Sequence, residues 1–203
     1  MPDGLSRVLE DSYDGAFTRI AASHFGDELV LEIWKVQDDE TSHESRWRIR
    51  ARGVREYRLE EAAGDLEVFE ADHFVLRQYL EPRRALGFRG QPPSPAETVG
   101  RLWLIHRDIA GEWVPFERYL NVCAGLEDLL AGGYGLLAEG PESLVRAYAN
   151  VLSEQEVSTN LLSPTPANWW NGTNWVESTA PLTGISIGRS LIVAEDFEVE
   201  KID

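Results

Sequence analysis

Apolar and polar residues alternate with a period of two through much of the first half of this chain. In Asp27–Val36 (DELVLEIWKV), Leu29, Leu31 and Ile33 fall on one face, and Val30, Glu32 and Trp34 on the other. That period describes a β-strand. It recurs after the polar stretch 37–45, where Arg46, Arg48, Arg50 and Arg52 alternate with Trp47, Ile49 and Ala51. With Arg55 and Arg58 the segment holds six arginines in thirteen residues. The two strands and the loop between them read as a hairpin. Shorter strand-like segments cover 16–23, Arg55–Leu59, Leu66–Phe69, Phe74–Leu80, Ala85–Phe88, Val99–His106 and Trp113–Leu120. Turn residues separate several of them, at Ala63-Gly64-Asp65, Gly90–Pro95 and Ala110-Gly111.

The period changes near Asn121. Val122, Leu126, Leu129 and Leu130 follow a helical stripe, with Asn121 as a start signal and Gly132-Gly133 as a stop. A second helix opens at Gly140-Pro141 and carries Leu144, Tyr148, Val151 and Leu152 on one face. Residues 153–184 are rich in Ser, Thr, Pro, Asn and Gly and read as irregular. Ser190–Val199 reads as a final strand that returns to the sheet. The expected fold is α+β: a mainly antiparallel sheet, meander or half-barrel-like, followed by two short helices. Length 203 suits a single domain, 1–203, strand-rich over about 1–120 and helical over about 121–152. A tryptophan-containing loop and the return strand fill 153–203.

Charge narrows the range of partners. The formal net charge is −16, carried by 35 acidic against 19 basic residues. Residues 1–107 hold 20 acids and 15 bases, whereas 108–203 hold 15 and 4. Such a surface repels double-stranded nucleic acid and anionic lipid and steers a basic protein inward. No apolar run approaches the length of a membrane-spanning helix. A single cysteine, Cys123, and an N-terminus without a basic start and apolar run favour a reducing, cytoplasmic setting. In that setting the Asn171-Gly172-Thr173 sequon is accidental.

Familiar catalytic patterns are present only in fragments. Gly184-Ile185-Ser186-Ile187-Gly188 matches the nucleophile pattern G-x-S-x-G, but all four histidines precede Ser186 and no strand-to-helix turn follows. Leu104–Asp108 (LIHRD) resembles a kinase catalytic loop but has Trp113 where the metal-binding asparagine belongs. Gly132-Gly133-Tyr134-Gly135 has neither the lysine of a phosphate loop nor dinucleotide spacing. Asp38, Asp39, Glu40, His43 and Glu44 read as a solvated charge run, and no metal or cofactor is expected.

Three groups remain as candidate binding residues. The arginine row, Arg48 and Arg50 above all, either pairs across strands with Glu32 and Trp34 or cradles an anion. His73 and His106 stand near acids in strand-like segments and could form an acid–base pair or hold a ligand at the mouth of the sheet. Trp169, Trp170 and Trp175 crowd into seven residues, either as a lid over the core or as a binding surface. The function expected is noncatalytic: a cytosolic binding protein that recognises a basic protein partner. The alternative is a binder of a small anionic ligand, or an enzyme, with a pocket lined by Arg50, His73 and His106.

Overall fold

The computed structural model describes residues 3–12, 17–26, 28–35, 45–61, 63–121, 123, 125–171 and 173–202. The acidic loop with His43 lies outside the described residues. The fold is α+β with antiparallel sheets. The chain packs as two compact units, Met1–Leu76 with Trp169–Asp203, and Arg77–Asn168.

In the first unit, α1 (Asp3–Ser12) precedes β1 (Phe17–Phe25), β2 (Glu28–Lys35), β3 (Arg46–Arg52), β4 (Glu56–Arg58) and β5 (Leu66–Phe69), then α2 (Phe74–Arg77). The second unit holds β6 (Arg83–Arg89), α3 (Pro95–Ala110), a 3₁₀ turn (Phe116–Tyr119), α4 (Leu126–Gly132), β7 (Tyr134–Pro141), α5 (Glu142–Glu154) and β8 (Ser158–Leu161). The first unit then resumes with β9 (Asn168–Trp170), β10 (Trp175–Glu177), β11 (Thr183–Ile187), β12 (Ser190–Ala194) and β13 (Asp196–Ile202).

Two four-stranded sheets build the first unit, in the orders β1-β2-β3-β13 and β4-β12-β11-β5. Their apolar faces share one core. Leu29, Leu31, Ile33, Trp47, Ile49 and Ala51 from the first sheet meet Leu66, Ile185, Ile187 and Ile192 from the second. Leu5 and Val8 of α1, one helical turn apart, close the same cluster. Each fully buried aliphatic side chain contributes about 1.5–3 kcal/mol. The alternation of β2 and β3 thus supplies a large part of the core, and it turns the arginines outward.

The two sheets are joined at a corner. Pairing of β3 with β13 belongs to the first sheet, and pairing of β4 with β12 to the second. One two-stranded ribbon therefore changes sheets, on one strand between Arg52 and Glu56 and on the other at Glu195. Strands that switch sheets at a bend are a common way to turn such a corner.

The second unit wraps α5 over the sheet β7-β6-β8. Leu144, Val145, Tyr148, Val151 and Leu152 are buried, as the helical stripe requires. The α4 helix ends at Gly133 in the left-handed region, the stop expected there.

Several expectations are corrected. Val99–His106 is not a strand but the middle of α3. Ser94 caps that helix by accepting from the Glu97 amide at 3.3 Å, Pro95 opens it, and Thr98, Leu102, His106 and Ala110 are buried at every fourth position. Phe74–Leu80 contains α2 rather than a strand, and Trp113–Leu120 contains the 3₁₀ turn. Helices therefore precede and interrupt the strands as well as follow them. Residues 153–184, expected to be irregular, supply β8, β9, β10 and the start of β11. The final strand is two strands, divided at Glu195.

Candidate binding site

The corner between the sheets is built around a buried cation. Gly53, with φ +62, turns the chain out of β3 in a conformation that favours glycine, and a Cβ there would stand 2.8 Å from the Glu195 side chain. The Glu195 amide donates to Arg52 O at 3.0 Å, which sets the carboxylate over the turn. Arg55, whose side chain is only 2% exposed, pairs with that carboxylate and donates to Gly53 O at 3.3 Å. Its guanidinium carbon lies 3.4 Å from the ring centre of Trp169, a stacked cation–π contact. Burial lowers the Arg55 pKa from the usual guanidinium value, and the hydrogen bond that Arg55 donates to Glu195 opposes that shift. Its Nε has no hydrogen-bond partner among the described residues.

Beside this corner opens a groove of about 680 Å³, edged by His24, Arg55, Glu56, Tyr57, Trp169 and Trp170. That volume lies in the range of small-ligand and side-chain pockets. Tyr57 is 43% exposed on β4, and the His24 ring packs against it with centroids 5.1 Å apart. Trp170 and Trp175 are 51% and 70% exposed and meet edge to face at 5.8 Å. The turn that presents them is self-contained: Asn171 Oδ1 accepts from the amides of Thr173 and Asn174 at 2.9 and 2.8 Å. Of the three indoles, Trp169 is half-buried and stacks on Arg55, whereas Trp170 and Trp175 are displayed.

The other expected site residues lie elsewhere. Arg48 sits between Glu32 and Glu200 in the strand register and bonds to both, at 2.8 and 3.4 Å. The hydrogen bond to Glu32 raises the Arg48 pKa. Arg50 pairs with Glu28 at 3.0 Å, and Arg52 with Glu198 at 2.9 Å. The cross-strand partner Glu32 and the outward direction of the row agree with the alternation. Arg48 and Arg50 also border a shallow cleft with Arg7, Glu198, Glu200 and Lys201, where cations and carboxylates are mixed.

His73 is in the first unit. Its ring stacks on Phe69 at 4.6 Å, and its Nδ1 accepts from the Val75 amide at 3.2 Å, at the start of α2. His106 is in the second unit, fully buried on α3. Its Nδ1 lies 2.6 Å from the Tyr148 hydroxyl and its Nε2 2.8 Å from Val114 O. Burial lowers the His106 pKa below its ordinary value and raises that of Tyr148. Both ring nitrogens of His106 are thus committed to packing. Ser186 is buried inside β11, 3.4 Å from Glu67 Oε2, and not at an exposed elbow.

Sequence reasoning reached the tryptophans but missed His24, Tyr57 and Glu195 as their neighbours. One local signal was available. After Arg52 the arginine spacing changes from two to three, so Arg55 leaves the row at Gly53. Comparison with known family models, characterised proteins and solved structures gave no match, so the chemistry of the groove is argued from its own residues.

Proposed function

We propose that this chain is a noncatalytic, cytosolic binding protein that takes up a basic segment of a protein partner at the aromatic groove of its first unit. One observation carries the reading: the aromatic residues Tyr57, His24 and Trp170 border one groove, together with Glu56. Exposed aromatic rings with a neighbouring acid attract cations through the ring quadrupole and by charge. The net charge of −16 adds long-range steering of a basic partner. The resident cation does not oppose this, because Glu195 neutralises Arg55.

Calorimetric titration of the full chain with short lysine- and arginine-bearing peptides, and with acidic peptides of equal length, tests the reading. The basic peptides bind, and more weakly as salt rises. Equal binding of the acidic set, or none of the basic set, overturns it.

A second reading, a small anionic ligand, draws on Arg55, which borders the groove and whose buried Nε has no hydrogen-bond partner among the described residues. An anion there would have to compete with Glu195. Direct binding of inorganic phosphate or acetate to the chain alone, at constant ionic strength, is expected only if that reading is right.

A further inference from the structure

We infer that the groove is selective for a methylated ammonium, the trimethylated side chain of a lysine in the partner's basic segment, over the unmodified ammonium. This rests on the basic-partner reading above and specifies the group recognised.

What the groove offers a cation is aromatic surface. Tyr57 and Trp170 both border it and are both substantially exposed, and His24 packs against the Tyr57 ring with centroids 5.1 Å apart. The two acids of the corner are already engaged. Glu195 pairs with Arg55. Glu56 interacts within the protein and, as the neighbour of Tyr57 on β4, points to the opposite face of the strand. Arg55 covers the Trp169 ring, which leaves the displayed rings to an incoming group.

A bare lysine ammonium suits such a surface poorly. It is a compact, strongly hydrated charge with three N–H donors. Giving up its water without gaining acceptors costs free energy. Trimethylation keeps the charge, removes every N–H donor and loosens the hydration. The methyl groups bring that charge against ring faces, whose quadrupole attracts it, and they bury apolar surface as they do so. The Trp170–Trp175 edge contact and the closed Asn171 turn position the indole before binding, which limits the ordering cost.

The test compares three blocked peptides of identical length, each with two outer lysines and a central position spaced from them by glycine. The central residue is lysine, trimethyllysine, or the neutral isostere of trimethyllysine in which carbon replaces the nitrogen. Binding to the full chain is read by calorimetry and by tryptophan fluorescence. The trimethylated peptide binds about tenfold more tightly than the unmodified one, and the neutral isostere loses most of that gain. Tyr57→Leu and Trp170→Leu each shrink the gain to about twofold, whereas Tyr57→Phe, which keeps the ring, preserves it. Trp103→Leu, which alters an exposed tryptophan of the second unit, leaves it unchanged.

The exposure of Tyr57 and Trp170 lets their variants keep the wild-type fold, checked by circular dichroism. Equal affinity for the methylated and unmodified peptides, an isostere as tight as the methylated peptide, or an undiminished gain in folded Tyr57→Leu and Trp170→Leu overturns the inference while the basic-partner reading stands. Choline bound as tightly as the methylated peptide would assign the groove to a small quaternary amine, and overturns it too. No binding of any of the peptides overturns both.

Discussion

On the outer face of β3, Arg48, Arg50 and Arg52 each lie within 3.0 Å of a glutamate from β2 or β13 and keep substantial contact with water. Three residues further on, Arg55 is buried under Trp169 with Glu195. The two regions use one residue type for different ends. On the sheet, acids flank a central row of cations, and solvent screens every pair, so no single bridge decides much. At the corner, one cation is desolvated, and its indole and carboxylate partners must all be present. A cation row already answered by glutamates makes a poor cradle for a bound anion. The corner bordered by displayed rings is where we place the proposed binding of a basic segment.

Substitutions separate these regions in order of effect. Arg55→Ala strands the Glu195 carboxylate and removes the stacked face of Trp169. It should lower unfolding free energy by about 2–3 kcal/mol, read as a fall in the urea midpoint. A loss no greater than that of a sheet arginine would erase the distinction. Gly53→Ala combines a positive φ with a Cβ driven against Glu195, and should cost about 1–2 kcal/mol by the same measurement.

The second unit extends the comparison to a buried base. His106 is held neutral: burial lowers its pKa, the Val114 bond opposes that, and Glu117 and Arg107 act on it with opposite signs. The unfolded chain binds the proton more readily. Stability is therefore complete above the ordinary value of 6.5 and is lost as pH falls below it toward the lowered folded value. The slope from this one group is at most about 1.4 kcal/mol per pH unit. Urea titrations between pH 7 and 5 should show that decline, and His106→Gln should remove its part of it.

The smallest change belongs to the row. Arg48→Ala should leave the melting midpoint almost where it was at moderate salt, and a large fall would mean that the ladder bears weight after all.

These contrasts also explain what could be read from the chain. The hairpin of β2 and β3 was legible, with the arginine row on the same face as Glu32, because each residue's face follows from its parity. The helix α5 was legible from its stripe and proline start. The strand reading of Val99–His106 failed because the run Leu102–Ile105 is apolar enough to fit either period. The decisive signals were Ser94, Pro95 and Glu97, at the edge of the segment, and the four-residue spacing of Thr98, Leu102, His106 and Ala110. The tryptophans announced themselves by crowding. Their neighbours did not: His24, Tyr57 and Glu195 come from three distant stretches, brought together only by a ribbon that changes sheets.

The turn that presents Trp170 has a consequence for how the protein is made. Asn171 borders the groove and belongs to a glycosylation sequon, and its side-chain oxygen holds the turn through Thr173 and Asn174. A sugar chain attached there in a secretory expression host would hang over the opening and block access. Material for binding work should come from a bacterial cytosol, and matched preparations from the two hosts would give the groove in its open and its capped form.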